Sequence, residues 1–252
     1  MKPSDSGAVE ATVGHFRLAA AAVSECGPVR RENQDAFRLV ELPGIGLGLV
    51  VADGMGGHSG GGEAAAAAVE AAAGGLSRPE RDDGWLAWVI AAANQAVDGV
   101  RRRLGGNPGT TIEAALVGEG RISLAHVGDS RAYLLHAGVA RPLTADHSLT
   151  AERIRAGTMA PEEARTDPRR NFVTRALLGD PVEPDLVDTV LAAGDTVLLC
   201  SDGLWASLSD PRIAELMDRA DPRDAAHDLV SAALAAGSTD NVTAVVARLD
   251  VV

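Results

Sequence analysis

Asp53 closes the apolar run Val50-Val51-Ala52 and is followed at once by Gly54-Met55-Gly56-Gly57-His58. A buried strand that ends on a carboxylate and breaks into glycine holds that carboxylate at a fixed point, because glycine permits the turn. The arrangement recurs at Ala125-His126-Val127-Gly128-Asp129-Ser130 and at Leu198-Leu199-Cys200-Ser201-Asp202-Gly203, and Ser238-Thr239-Asp240-Asn241 mirrors it just before a strand. Any one of these is an ordinary turn signal. Four carboxylates that converge without Lys or Arg between them repel one another strongly in a partly dry site, so together they demand protons or cations. Oxygen donors without His or Cys point to Mg2+ or Mn2+ and away from zinc, and no EF-hand loop favours calcium. Two such ions a few ångströms apart can clamp a phosphoryl group for in-line attack.

The elements that must position these residues are legible around them. Phe16 to Ser24, Ala36 to Leu42 and Gly46 to Ala52 read as three strands, with a polar loop, Cys26 to Asp35, between the first two. Alanine-rich Glu63 to Ala73 predicts a helix buried on most of its circumference and stopped by Gly74-Gly75. A second helix is expected from Asp82 or Asp83 to Leu104, with Arg101-Arg102-Arg103 suited to the negative end of its dipole. Strands follow at Ile112 to Val117, Ile122 to Val127, Ala132 to His136 and Val139 to Pro142, linked by turns as in an antiparallel sheet. A polar stretch from Thr144 to Asn171 has little to bury and reads as a surface insertion or flap. Strands at Val187 to Leu191 and Thr196 to Cys200, helices near Pro211 to Arg219 and Pro222 to Ala236, and a last strand from Asn241 to Leu249 complete the chain. Strand blocks followed by paired helices, twice over, predict an α+β fold, a four-layer α-β-β-α sandwich with two antiparallel sheets face to face and helices outside.

The 252 residues, 46% of them apolar, suffice for one large core, but aromatics are only 3%, so that core must be built from Ala, Val, Leu and Ile. A net charge of −12 argues against nucleic acid or an anionic membrane surface as partner. Cys26 and Cys200 are too few for a disulfide framework and read as small buried side chains in a reducing compartment. No apolar run is long enough to span a membrane, and Met1 to Gly14 lacks the apolar region of a signal peptide. The expectation is a cytoplasmic chain with a flexible tail over residues 1–15 and a single domain over 16–252.

Arg30-Arg31-Glu32-Asn33-Gln34-Asp35, Val51-Ala52-Asp53-Gly54-Met55-Gly56-Gly57-His58, Gly109-Thr110-Thr111, Val127-Gly128-Asp129-Ser130-Arg131-Ala132-Tyr133, Leu143-Thr144-Ala145-Asp146-His147-Ser148, Ser201-Asp202-Gly203-Leu204-Trp205 and Asp240-Asn241-Val242-Thr243 stand in that order. In order and wording they resemble the metal-dependent (PPM, type 2C) serine/threonine protein phosphatases of the bacterial branch. The resemblance implies a phosphatase that uses two core Mn2+ or Mg2+ ions and hydrolyses phosphoserine and phosphothreonine by direct attack of a metal-bridging hydroxide. It implies that Asp53 bridges the two ions, with the Gly54 carbonyl on one and Asp202 and Asp240 completing the other. Asp35 would hold metal-bound water in the same cluster, and Asp129 with Asp202 a third, weaker ion described in bacterial members.

The same resemblance makes Arg30, five residues before Asp35, the grip on the substrate phosphate, with Arg31 the adjacent alternative; a planar guanidinium suits two phosphate oxygens at once. The flap would run from about 148 to 175. Met55 stands where eukaryotic relatives have a histidine proposed as general acid, and Gln34 where they have a metal-associated glutamate. His58 does not inherit the acid role, and Asp146 and His147 read as capping residues at the flap entrance. The expected partners are phosphoproteins, targets of Ser/Thr kinases, and the expected state is a monomer. A phosphoprotein-binding pseudophosphatase and a hydrolase of small phosphoesters are the alternatives.

Overall fold

The computed structural model describes residues 5–56, 60–164, 167–170 and 172–252. Two antiparallel sheets lie face to face. The first runs in the spatial order β1 (Asp5–Val13), β2 (Phe16–Glu25), β12 (Val242–Val251), β11 (Thr196–Cys200), β8 (Arg131–His136), β9 (Val139–Pro142). The second runs β10 (Asp185–Val190), β7 (Arg121–Val127), β6 (Ile112–Gly118), β4 (Gly46–Met55), β3 (Asp35–Leu42), with the two-residue β5 (Gly109–Thr110) pairing the end of β4. Between the sheets sits an apolar layer that includes Leu18, Leu47, Leu49, Val51, Leu124, Leu199 and Val245.

Helices α1 (Gly61–Leu76) and α2 (Trp85–Leu104) cover the outer face of the second sheet through Ala64, Ala68, Ala72, Val89, Ile90 and Ala93. Helices α6 (Asp210–Met217) and α7 (Pro222–Ala235) cover the first through Ile213, Met217, Ala226 and Leu229. The α+β, four-layer arrangement expected from the strand and helix pattern is the one observed. Short helices α3 (Leu149–Arg155) and α4 (Pro161–Ala164) lie in the polar stretch, and α5 (Asp202–Trp205) follows β11 directly.

Two expectations are corrected. Residues 5–13 are not a loose tail: β1 pairs with β2 along its whole length, from Asp5↔Ser24 to Val13↔Phe16. Val9, Ala11 and Val13 alternate with Glu10 and Thr12, and this half-buried face, with Ala11 and Val13 buried, is what a strand needs. Gly74-Gly75 also does not stop α1, which continues to Leu76 with Ser77 as its C-cap. Gly75 is instead where α2 approaches, since a Cβ there would stand 2.9 Å from Val89 Cγ2. Removing the side chain lets the helices close, which offsets the helix-propensity cost of about 1 kcal/mol.

Candidate metal centre

The topology brings the ends of the critical strands to one edge of the sandwich. Asp35 opens β3 and Asp53 lies near the end of β4, and the two are directly paired across the ladder, so both side chains point to the same face. In the other sheet Cys200, the last residue of β11, pairs with Arg131 at the start of β8 and with Ala244 near the start of β12. That register places Asp129, Asp202 and Asp240, just outside those ends, side by side. Arg30, Arg31, Gln34, Asp53, Gly54, Met55, Asp129, Asp202 and Asp240 all line one cleft of about 610 Å3. Asp35 lies beneath it, 9% exposed.

Backbone and hydroxyl contacts from neighbouring elements seat Asp53 and Asp35. The Asp53 peptide is fixed by Gly109-Thr110-Thr111: Thr111 Oγ1 accepts from Asp53 N at 3.0 Å, and Thr110 Oγ1 donates to Asp53 O at 2.8 Å. Gly54 N donates to Gln34 O at 3.1 Å, and a Cβ on Gly54 would meet Gly61 O at 2.3 Å and Gln34 O at 2.7 Å. Only glycine fits this crossing of β4, the 26–34 loop and the start of α1. Asp35 Oδ2 accepts from Ser201 Oγ at 2.7 Å and Thr243 Oγ1 at 2.6 Å, two hydroxyls from the opposite sheet. Its Oδ1 is buried without a partner.

Arg30 Nη2 donates to Asp240 Oδ2 at 2.5 Å, and Asp240 Oδ1 accepts from Asn241 N at 2.8 Å. Asn241 in turn secures the loop that carries Arg30. Its Nδ2 donates to Cys26 O at 2.8 Å and Glu32 O at 3.0 Å, and its Oδ1 accepts from Gln34 N at 2.9 Å.

The electrostatics follow from burying so many acids together. Burial, then repulsion from Asp202 and Asp240, raises Asp35 to about 7 against the pull of its two hydroxyl donors. Burial and then Asp202 raise Asp129 to about 7. Burial and Asp240 raise Asp202 to about 6, although a hydrogen bond shared with Asp53 and the Arg30 charge oppose them. Asp53 is driven well above the ordinary carboxylate range by burial and by all four neighbours, Asp35 first. Arg30 is raised, chiefly by its bond to Asp240.

The sequence marks out the aspartates but not the groups that seat them. Ser201, Thr243, Thr110, Thr111 and Asn241 all stand inside the quoted motifs, next to an aspartate or at a β-strand start, and that adjacency was the available signal. Asp146 and His147 do not cap a helix. Ser148 caps α3 by accepting from Ala151 N, while Asp146 accepts a two-pronged contact from Arg131 at 2.7 and 2.8 Å. His147 Nδ1 accepts from Gly128 N at 3.0 Å, next to Asp129. Among the residues outside those described is His58, on which the sequence had suggested only a bystander role.

A sandwich of two antiparallel sheets between helix layers, with an aspartate cluster where both sheets end, defines the architecture of the PPM-type phosphatases. The sequence model described as "Protein phosphatase 2C" matches residues 29–235. The chain belongs to the protein phosphatase 2C family. It is 40% identical over 232 residues to "Serine/threonine protein phosphatase PstP" of Mycobacterium tuberculosis, covering 90% of this chain but 44% of that protein. It is 33% identical over 235 residues to "Serine/threonine phosphatase stp" of Listeria monocytogenes, covering 89% of this chain and 93% of that one. The crystal structure of the catalytic domain of serine/threonine protein phosphatase PstP in complex with two manganese ions superposes with a TM-score of 0.82 at 35% identity, over 93% of this chain and 99% of that one. The structure of the S. agalactiae serine/threonine phosphatase gives a TM-score of 0.83 at 30% identity, over 92% of this chain and 99% of that one.

Proposed function

We propose that this protein is a divalent-metal-dependent phosphatase acting on phosphoserine and phosphothreonine in proteins, with the aspartate cluster as its metal centre. The observation that carries the reading is the convergence of Asp35, Asp53, Asp129, Asp202 and Asp240 from both sheets, with Asp35 Oδ1 buried and unpartnered. Such a set suits hard cations, which relieve the repulsion that otherwise draws protons onto the carboxylates. Among the described residues no three His, Cys, Asp or Glu side chains are gathered closely enough to hold an ion by themselves, so an ion here would need water to complete its shell, as Mg2+ commonly does.

On this reading Asp53, the Gly54 carbonyl, Asp202 and Asp240 would hold the two core ions. Asp35 would stand behind them in the cluster, and Asp129 with Asp202 would hold a third. When bound, the ions supply a hydroxide nucleophile near neutral pH and neutralise charge on the phosphoryl oxygens.

The remaining work falls to the chain's own groups. Arg30, at the cleft rim and held toward it by Asp240, binds the phosphate and orients it with its planar fork. Met55 lines the cleft and has no proton to give, so the leaving oxygen is not protonated from that position. A thiol nucleophile has no support either: Cys26 and Cys200 are buried, and burial pushes the Cys200 thiol up. The segment at about 148–175, with α3 and α4, acts as the flap that shapes substrate access. The chain from β1 onward forms the catalytic domain, which works as a cytoplasmic monomer opposing Ser/Thr kinases. Cys26 and Cys200 are both buried and as thiols fit a reducing compartment, and no helix among the described residues is long and apolar enough to cross a membrane.

The test is Asp202→Asn assayed on p-nitrophenyl phosphate with Mn2+. The variant should fold and lose roughly three orders of magnitude in kcat/KM; parental activity would refute the mechanism. A phosphothreonine peptide and nucleotides, each with and without EDTA, then separate the classes. Binding without turnover identifies a phosphoprotein-binding module, and preference for nucleotides a small-phosphoester hydrolase.

A further inference from the structure

We propose that Trp205 is a positioning residue for Asp129, acting through its indole N–H and locked by Arg131; the proposal rests on the reading of Asp129 as part of the metal centre. Trp205 Nε1 donates to the main-chain carbonyl of Asp129 at 2.9 Å. The Arg131 guanidinium stacks on the indole with its central carbon 3.5 Å from the ring centroid. That guanidinium is itself immobilised, by Asp146 through two oxygens at 2.7 and 2.8 Å and by Tyr133 Oη at 3.0 Å. Tyr133 is fully buried. A ring gripped in this way has little freedom to withdraw its donor.

The placement of Trp205 gives the contact its meaning. It closes α5, the single helical turn whose first residue is Asp202. Residues three apart on a helix share a face. One rigid turn therefore carries the Asp202 carboxylate and, a turn further on, the donor that fixes Asp129. On its other side the Asp129 peptide is flanked by the reciprocal pair Gly128 N to His147 Nδ1 at 3.0 Å and His147 N to Gly128 O at 2.7 Å. The separation of the Asp129 and Asp202 carboxylates is thus set by α5 rather than by a free turn. Because Asp146 and His147 enter the flap, the same contacts join the flap to Asp129.

Packing alone would also keep an aromatic ring at this site, so the test must remove the N–H and little else. Calorimetric Mn2+ titration of the substrate-free chain is compared for the parent, Asp129→Ala, Trp205→Phe, and the chain carrying β-(3-benzothienyl)alanine at 205, in which sulfur replaces the N–H without changing shape. Asp129→Ala should abolish the weakest ion-binding step. Both changes at 205 should weaken that step about tenfold, as loss of one well-aligned hydrogen bond implies, and leave the tighter steps unchanged, while the metal-free melting temperature falls only by the few degrees that one hydrogen bond is worth. For a phosphothreonine peptide, kcat should fall at limiting Mn2+ and recover in excess, with KM unmoved.

If Asp129→Ala removes the weak step while both changes at 205 bind like the parent, the positioning inference is wrong and the metal reading survives. If Asp129→Ala alters no step, the reading of Asp129 itself fails. Equal weakening of every ion-binding step by both changes at 205 would make Trp205 a packing residue only.

Discussion

At the scale of single residues, Arg30 and Arg31 show how one position of the backbone separates a functional cation from a bystander. Both line the cleft, but only Arg30 is tied to a carboxylate of the cluster, through Asp240 Oδ2. That ion pair is half-exposed, with the Arg30 side chain 53% accessible, so it contributes little to stability. A charge-assisted bond to phosphate is worth roughly 1.5–3 kcal/mol. Arg30→Ala should therefore lower kcat/KM for a phosphothreonine peptide by about 10- to 150-fold, with the melting temperature nearly unchanged. Arg31→Ala should cost little in either assay, and steady-state kinetics on the two variants settles which arginine meets substrate. The aspartates were legible in the sequence because a charged residue at the end of an apolar strand is rare and its context is local. Ser201 and Thr243 were not, because a hydroxyl is unremarkable anywhere. Their role exists only once β11 and β12 bring them across the sheet interface to Asp35.

At the scale of elements, the same contrast separates what periodicity reveals from what it cannot. Long strands and helices announced themselves, as in β4 and α2, while α5 and β5 are too short to show any period. The strand β1 carried its alternation at Val9, Ala11 and Val13 but was hidden by its position near the chain start. The 26–34 loop has no regular structure at all, yet its shape is defined, and the cause is Asn241 at the threshold of β12. This side chain, 5% exposed, makes three hydrogen bonds to the loop backbone at Cys26, Glu32 and Gln34. Asn241→Ala leaves those buried groups unpaired, at a cost of roughly 3 kcal/mol, or about 6–12 °C in melting temperature for a domain of this size. Because the loop carries Arg30, KM for the phosphopeptide should rise as well. A variant that melts early but keeps the parental KM would show that Arg30 is oriented by Asp240 alone.

At the scale of the whole molecule, the cluster couples folding to pH and to metal. In the unfolded chain an aspartate titrates near about 3.9, whereas in the fold Asp202 is raised to about 6 and Asp35 and Asp129 to about 7, and burial beside Asp35 drives Asp53 well above the ordinary carboxylate range. Between those limits the folded protein holds more protons than the unfolded one, so stability declines as pH rises. The stabilising share is complete near pH 4 and is lost as pH climbs through 6 to 7 and beyond. His147 acts in the opposite sense, since burial lowers it to about 4 and its neutral form is favoured as pH rises toward 6.5. Above that value the aspartates are joined in the same sense by His126, which Glu113 raises against its own burial, and pH 6.5 to 8 is the decisive window. Divalent ions bind the ionised carboxylates, so their stabilisation must grow across the same window. Melting curves in EDTA should therefore fall in midpoint from pH 6.5 to 8, while those with Mn2+ hold level or rise, so that the two sets diverge. Asp35→Asn removes one of the raised acids and should flatten the EDTA curve. Parallel curves with and without Mn2+ would mean that the cluster does not bind the ion, and an unchanged slope in Asp35→Asn would mean that the protons reside on other groups.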